Sequence, residues 1–285
     1  MEAKAPICSI KLDRLIFTAQ ARQGDRIASI NGYETVADFR PRPQGKTPSY
    51  SRVRKFRCTH DNSHVDVQYR PARPWCRPLR IKLTADDRTG ITPTQVQAVL
   101  GSCLDQRPSL VELAFDFPFQ SGVDDEYVRQ HARFGKSRLR QDRGGTGQLR
   151  YGSRSSPKLV RCYWKRNLRC YRVELELHSA LLRKIGLIDV HEWGRLYRLV
   201  PSHLSFEAIS WRKLGRHLRR KFGQHDDALL QETRRRAENS LASAMRFLRR
   251  KGILNPHRFL YALRVNEEVK VAMRGLLSDF SRIQV

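Results

Sequence analysis

No stretch of the chain approaches the ~20 consecutive apolar residues that a membrane-crossing helix needs, so a helical membrane protein is excluded. The opening Met-Glu-Ala-Lys-Ala-Pro-Ile-Cys lacks the apolar segment of a secretory signal, and a cytoplasmic location is expected. The six cysteines, Cys8, Cys58, Cys76, Cys103, Cys162 and Cys170, are scattered and contain no CxxC pair. That spacing fits free thiols in a reducing compartment better than a disulfide framework. Acidic residues are also scarce: 28 Asp and Glu stand against 55 Lys and Arg, a net charge of +27. An excess of this size, spread along the chain, points to a polyanionic partner, with nucleic acid favoured. Arginine dominates the basic residues and suits bidentate phosphate contacts.

What the chain does have is length and core. Its 285 residues, 40% hydrophobic, allow one large domain or two modest ones. Residues 9 to 18 read as a first strand with Asp13 inside it; 19 to 62 are polar and turn-rich, with a weak strand near Ser51 to Cys58. His64 to Tyr69 and Leu79 to Leu83 alternate as strands with one wet face. Thr92-Pro93-Thr94-Gln95 is a helix start, with Thr92 and Gln95 forming a capping box, and the helix is expected to run to about Asp105. Leu110 to Phe117 is a strand that puts Glu112 and Asp116 on one face and Leu113, Phe115 and Phe117 on the other. A carboxylate within so apolar a run is costly unless paired or metal-bound, which singles out Asp116.

Asp124 to Phe134 looks helical, and Gly135 to Gly147 is a basic connector. From Ser179 onward the period lengthens to that of helices: 180 to 187, 192 to 200, 202 to 222, 229 to 251 with a stop at Gly252, and 266 to 280. The expected fold class is therefore α+β, an antiparallel sheet with flanking helices followed by a helical C-terminal region. The boundary is placed between 1–178 and 179–285.

The informative stretch is 148 to 178. One strand carries Leu159, Arg161, Tyr163 and Lys165 on a single face, and the next carries Arg172, Glu174 and Glu176. A short turn joins them, so an antiparallel hairpin is expected, bringing a tyrosine and a lysine close to two carboxylates. A solvated face of cross-strand charge pairs is the plain alternative.

Four pieces occur in order: Glu112-Leu-Ala-Phe-Asp116, Tyr151-Gly-Ser-Arg-Ser-Ser156, Arg161-Cys-Tyr163-Trp-Lys165 and Arg172-Val-Glu174-Leu-Glu176. Together they resemble the replication initiation factor family of rolling-circle plasmids and filamentous-type phages. The resemblance covers roughly residues 110 to 178 well, the N-terminal strands loosely and the C-terminal helices hardly at all. It implies an HUH/Rep-like catalytic sheet and a metal-dependent endonuclease and strand transferase. Such an enzyme nicks one strand at an origin, keeps the 5′ phosphate as a phosphotyrosine and frees a 3′ hydroxyl. It implies Tyr163 as nucleophile, Asp116 and Glu174 as ligands of Mg²⁺ or Mn²⁺, and Glu112 and Glu176 as further ligands or their supports. Arg161 and Lys165 would hold the scissile phosphate. Origin DNA and the host replication machinery would be the partners, and the compact basic chain leans toward a phage replicon. The chain departs from the pattern at Trp164, where Asp or Asn is usual, and at Glu112, which replaces an aspartate.

Tyr151 and Tyr171 remain rival nucleophiles. His60 and His64, with Cys58 and Asp66 nearby, invite a metal reading, but the Cys-x-His-x3-His spacing lacks a fourth zinc ligand close in sequence, so an ordinary loop and strand end are weighted above it and His64 and Asp66 stay as outsiders for metal binding. Asp13 is read as structural. Arg154, Arg172, Arg212, Lys213, Arg216, Arg219, Arg220, Arg234, Arg235 and Arg236 are expected to meet DNA phosphates. Two other classes compete: a basic DNA-binding regulator without nicking activity, and an RNA binder, for which interleaved aromatic clusters are few.

Overall fold

The computed structural model describes residues 8–41, 49–135, 139–141, 147–184, 186–187, 192–223 and 226–282. In chain order its elements are β1 (Ser9–Ala21), β2 (Tyr33–Phe39), β3 (Tyr50–Cys58), β4 (His64–Pro71), β5 (Leu79–Thr84), α1 (Pro93–Leu100) and β6 (Cys103–Pro118). There follow α2 (Asp125–His131), β7 (Ala132–Arg133), β8 (Leu139–Gln141), β9 (Leu149–Tyr151), β10 (Lys158–Lys165) and β11 (Cys170–His178). The last part holds α3 (Ser179–Lys184), α4 (Gly194–His203), β12 (Ser205–Ile209), α5 (Trp211–Phe222), α6 (Asp226–Asn239), α7 (Leu241–Arg250), β13 (Leu260–Ala262) and α8 (Val265–Ser281). The α+β class, with an antiparallel sheet, flanking helices and a helical C-terminal region, is the one read from the sequence.

A ten-stranded sheet runs β2-β3-β4-β5-β1-β6-β11-β10-β9-β8, and neighbouring strands pair antiparallel. Two locally built units, the β2–β5 meander and the β8–β11 group, are joined at its centre by β1 and the 16-residue β6. One face is apolar: Leu12, Leu15 and Phe17 of β1, Leu113, Phe115 and Phe117 of β6, and Val173, Leu175 and Leu177 of β11 are buried in one cluster. At ~2 kcal/mol per fully buried large apolar side chain, this face decides which way each strand turns. Helix α8 packs on β1, and α3 packs on β6 and β11. Leu196 and Val200 of α4 join the same cluster. A second, smaller cluster gathers Ile209, Leu214, Leu218, Leu241, Ala244, Leu248 and Phe259 around α5 and α7.

Several expectations need correction. Helix α1 keeps its capping box, with Thr92 accepting from Gln95 and returning the bond, but it ends at Leu100 and not near Asp105. Cys103 instead starts β6 by pairing with Ala21 of β1, a long-range ladder that outweighs local helix preference. The C-terminal third is not all helix. Ser205–Ile209, expected inside a helix, alternates Phe206 and Ala208 inward and pairs with β13 and β7. The same pairing ends α2 at His131. The helix expected over 229 to 251 is two helices, because the Ser240 side chain accepts from Ser243 N–H and caps α7. Strand β2 was not foreseen, and neither was β8 in the basic connector; the rest of that connector, 136–138 and 142–146, lies outside the described residues, as do the first seven residues. Gly152, in the turn before β10, has φ +90°, and a Cβ there would stand 2.7 Å from the Lys158 carbonyl oxygen. Only glycine fits that turn.

Candidate active site

The face of the sheet opposite the apolar cluster is polar at its centre, and strand register determines what meets there. On β6 and β11, Glu112 lies opposite Glu176, Ala114 opposite Glu174 and Asp116 opposite Arg172. On β10 and β11, Arg161 lies opposite Glu174 and Tyr163 opposite Arg172. The small side chain of Ala114 leaves room between the carboxylates around it. Strand β1 adds a bulge: its register against β6 slips between Leu12 and Arg14. The buried positions run 8, 10, 12 up to the slip and 15, 16, 17, 19 after it, so Asp13 and Arg14 together fall between the inward-facing Leu12 and Leu15. A bulge re-aims side chains in this way.

The result is a network of buried ions. Tyr163 donates its hydroxyl to Glu174 Oε1 in a short hydrogen bond. Arg161 Nη2 lies 2.5 Å from Glu112 Oε1 and 2.9 Å from Glu174 Oε2. Arg14 Nη1 is 3.1 Å from Glu112 Oε2. Arg172, fully buried, grips Asp116 with two bonds, Nε at 2.6 Å and Nη2 at 2.9 Å, and Lys11 adds a second cation at 3.1 Å. Glu176 turns to His178 at 2.7 Å. Lys165 reaches Asp87, 2.6 Å away on the loop after β5, and that loop also offers its Asp87 carbonyl to Arg172.

Burial and charge set the protonation of these groups. Desolvation pushes Glu112 up to about 7, with Arg161 only partly opposing it. Glu174 is raised as well, again by burial, against the pull of Arg161 and the Tyr163 hydroxyl. Asp116 is also buried, yet the hydrogen bonds and charge of Arg172 outweigh desolvation and hold it below the usual carboxylate range. Burial, then the negative charge of Glu174, drives the Tyr163 phenol well above its ordinary value. Unaided, it is a poor nucleophile.

Asp13, Glu112 and Glu174 each bring one carboxylate oxygen into a group whose members lie within 4.8 Å of one another. Glu112 Oε2 and Glu174 Oε2 are buried and accept no hydrogen bond of good geometry. Three hard oxygen donors, two of them without a hydrogen bond, fit a divalent cation such as Mg²⁺ or Mn²⁺. Of the ligands expected from sequence, Glu112 and Glu174 are brought together here, while Asp116 and Glu176 stand outside the trio, held by Arg172 and His178. Asp13, read from sequence as structural, completes the trio. Its signal was the change of phase between Leu12 and Leu15.

Among the tyrosines, Tyr163 is the one beside these carboxylates. Tyr151 packs on Phe134 at 4.3 Å within the apolar cluster, and Tyr171, also in that cluster, donates to Asp125. Cys58, His60, His64 and Asp66 form no group of convergent donors among the described residues. Arg172 is interior and committed to Asp116, so phosphate in solution does not reach it. Arg154 is exposed in the β9–β10 turn. Arg212, Lys213, Arg216, Arg219 and Arg220 line the exposed side of α5, which contains no acidic residue. On α6, Arg235 and Arg236 pair with Glu232, and Arg234 lies over the Trp211 ring. No helix among the described residues is long and apolar enough to cross a membrane.

No family model matches the chain. Nor does any curated protein. Among solved structures, a rolling circle replication initiator protein from Geobacillus stearothermophilus is similar over 70% of this chain and 87% of its own, at 14% identity and a TM-score of 0.39.

Proposed function

We propose that this protein initiates rolling-circle replication by nicking one DNA strand, with Tyr163 as nucleophile and a divalent cation held by Asp13, Glu112 and Glu174. The observation that carries the reading is the Tyr163 hydroxyl hydrogen-bonded to Glu174, itself one of the three convergent carboxylates. In this scheme Glu174 takes the phenolic proton as the Tyr163 oxygen attacks the scissile phosphorus. The bond from phosphorus to the 3′ oxygen breaks, that oxygen takes up a proton, and the 5′ phosphate stays on Tyr163. Bound Mg²⁺ or Mn²⁺ would stabilise charge developing on the phosphate. Lys165, whose partner Asp87 lies on a half-exposed loop, can exchange that carboxylate for the phosphate. Arg161 holds Glu112 and Glu174 together when no cation is bound. The exposed cations of α5 supply sequence-independent affinity for the DNA backbone.

A second reading, a basic DNA-binding regulator without nicking activity, draws on the same arginines: Arg14 and Arg161 already neutralise much of the acidic face. Covalent trapping separates the two. The protein is incubated with supercoiled and single-stranded DNA of its own replicon, with Mn²⁺ or with EDTA. The nicking reading requires a metal-dependent nick and an SDS-stable protein–DNA adduct, both lost in Tyr163→Phe. Tight binding with no adduct under any condition selects the regulator.

A further inference from the structure

A cavity of about 340 Å³ lies away from the sheet site, walled by α2, β12, α6 and the start of α5. Its size falls at the lower end of the ~300–1,000 Å³ typical of small-molecule sites. Two aromatic side chains line it: Trp211, at the first position of α5, and Tyr261 of β13, which is half exposed. Arg234, a third wall, holds its guanidinium over the Trp211 ring at 5.5 Å. Aromatic rings and guanidinium planes are the surfaces on which an unstacked nucleobase settles.

Beside Arg234 and Trp211, three side chains of the wall offer acceptors. Gln130 gives one amide N–H to Glu126, which leaves its carbonyl oxygen as acceptor and its second N–H as donor. His131 Nδ1 faces the Glu207 carbonyl oxygen at 3.2 Å; a carbonyl only accepts, so Nδ1 carries a proton and Nε2 is the acceptor of that tautomer. Glu238 contributes an exposed carboxylate that also lines the cavity. Three acceptors and one remaining amide N–H therefore call for a ligand edge of adjacent donors flanked by an acceptor. Among the bases, guanine presents the longest run of donors on its pairing edge, N1–H beside the N2 amino group. The exposed Arg212, Lys213 and Arg216 follow directly after Trp211, placed to meet phosphates on either side of such a nucleotide.

We infer that this cavity binds an unstacked guanine of single-stranded DNA, stacked against Tyr261 and Arg234 and read by Glu238, Gln130 and His131. The inference rests on the DNA reading above and adds a base-selective site to it. The probe is a fluorescent oligothymidylate carrying a single deoxyguanosine, deoxyinosine or deoxyadenosine, titrated with full-length protein. Inosine lacks only the N2 amino group, so the deoxyguanosine probe is expected to bind ~10-fold tighter than the deoxyinosine probe. Glu238→Gln should erase that difference, and Tyr261→Ala should weaken the deoxyguanosine probe by about tenfold through lost stacking. Both positions are exposed, so folding is not at stake. Equal affinity of wild type for the three probes would overturn the inference, as would a guanine preference that survives in Glu238→Gln. Metal-dependent adduct formation on replicon DNA is read in parallel. Guanine selection without any adduct would sink the nicking reading alone, and an adduct without guanine selection would sink the pocket alone.

Discussion

Replacing Arg172 by Met tests what holds the polar face together. The guanidinium is fully buried and donates twice to Asp116, whose side chain is only 7% exposed. Removing the arginine leaves that carboxylate inside the protein with Lys11, at 3.1 Å, as its remaining cation. Breaking one half of a buried ion pair costs ~3–5 kcal/mol, chiefly because the other charge stays behind without its partner. For a chain of this size that lowers the melting temperature by roughly 10 °C. The double replacement Arg172→Met with Asp116→Leu removes both charges and should recover much of the loss, since a buried pair adds little net over well-packed apolar groups. The pH dependence carries a second signature. Asp116 is held below its usual range, so its contribution is complete above the unfolded value of ~4 and disappears as pH falls through the lower folded value. Urea unfolding of wild type, both single variants and the double variant at pH 7 and below pH 4 completes the cycle. A loss below ~1 kcal/mol in Arg172→Met at pH 7, the size expected of an exposed pair, would refute the argument.

Asp13→Asn should raise the Mn²⁺ concentration needed for half-maximal nicking at least ~10-fold through loss of a charged oxygen ligand, whereas Asp116→Asn should not; a titration of adduct yield against Mn²⁺ checks both. Lys158 is buried against the Phe134 carbonyl and His203 with no acid partner among the described residues, and desolvation lowers it to about 8. A lysine with a depressed folded value binds fewer protons than the unfolded chain between pH 8 and its ordinary value. Wild-type stability relative to Lys158→Met should therefore rise with pH above about 8, as read by urea melts. Gly152→Ala forces a side chain into a left-handed turn and against the Lys158 carbonyl, so thermal melting should report a loss of ~1–3 kcal/mol.

Much of the site was legible because alternation along a strand is a local property. Leu113, Phe115 and Phe117 must face the core, which commits Glu112 and Asp116 to the other side. The 158–178 hairpin could be read for the same reason, since its short turn leaves the partner strand no choice. The capping box at Thr92 and Gln95 likewise depends only on neighbours in sequence. Strand Ser205–Ile209 shows the limit: its alternation is present, but five residues between helices acquire strand character only from β13 and β7, which come from elsewhere in the chain.

Sequence by itself determined the faces of the central strands, the tyrosine and carboxylates that share one of them, and the charge that calls for a polyanion. Only the tertiary structure decided which carboxylates converge. The insertion of β11 between β6 and β10 placed Arg172 on Asp116 and left Glu174 beside Glu112, and the β1 bulge brought Asp13 to them. Alternation fixes the face a side chain takes, whereas strand order and register, set by pairing between distant segments, fix its neighbours.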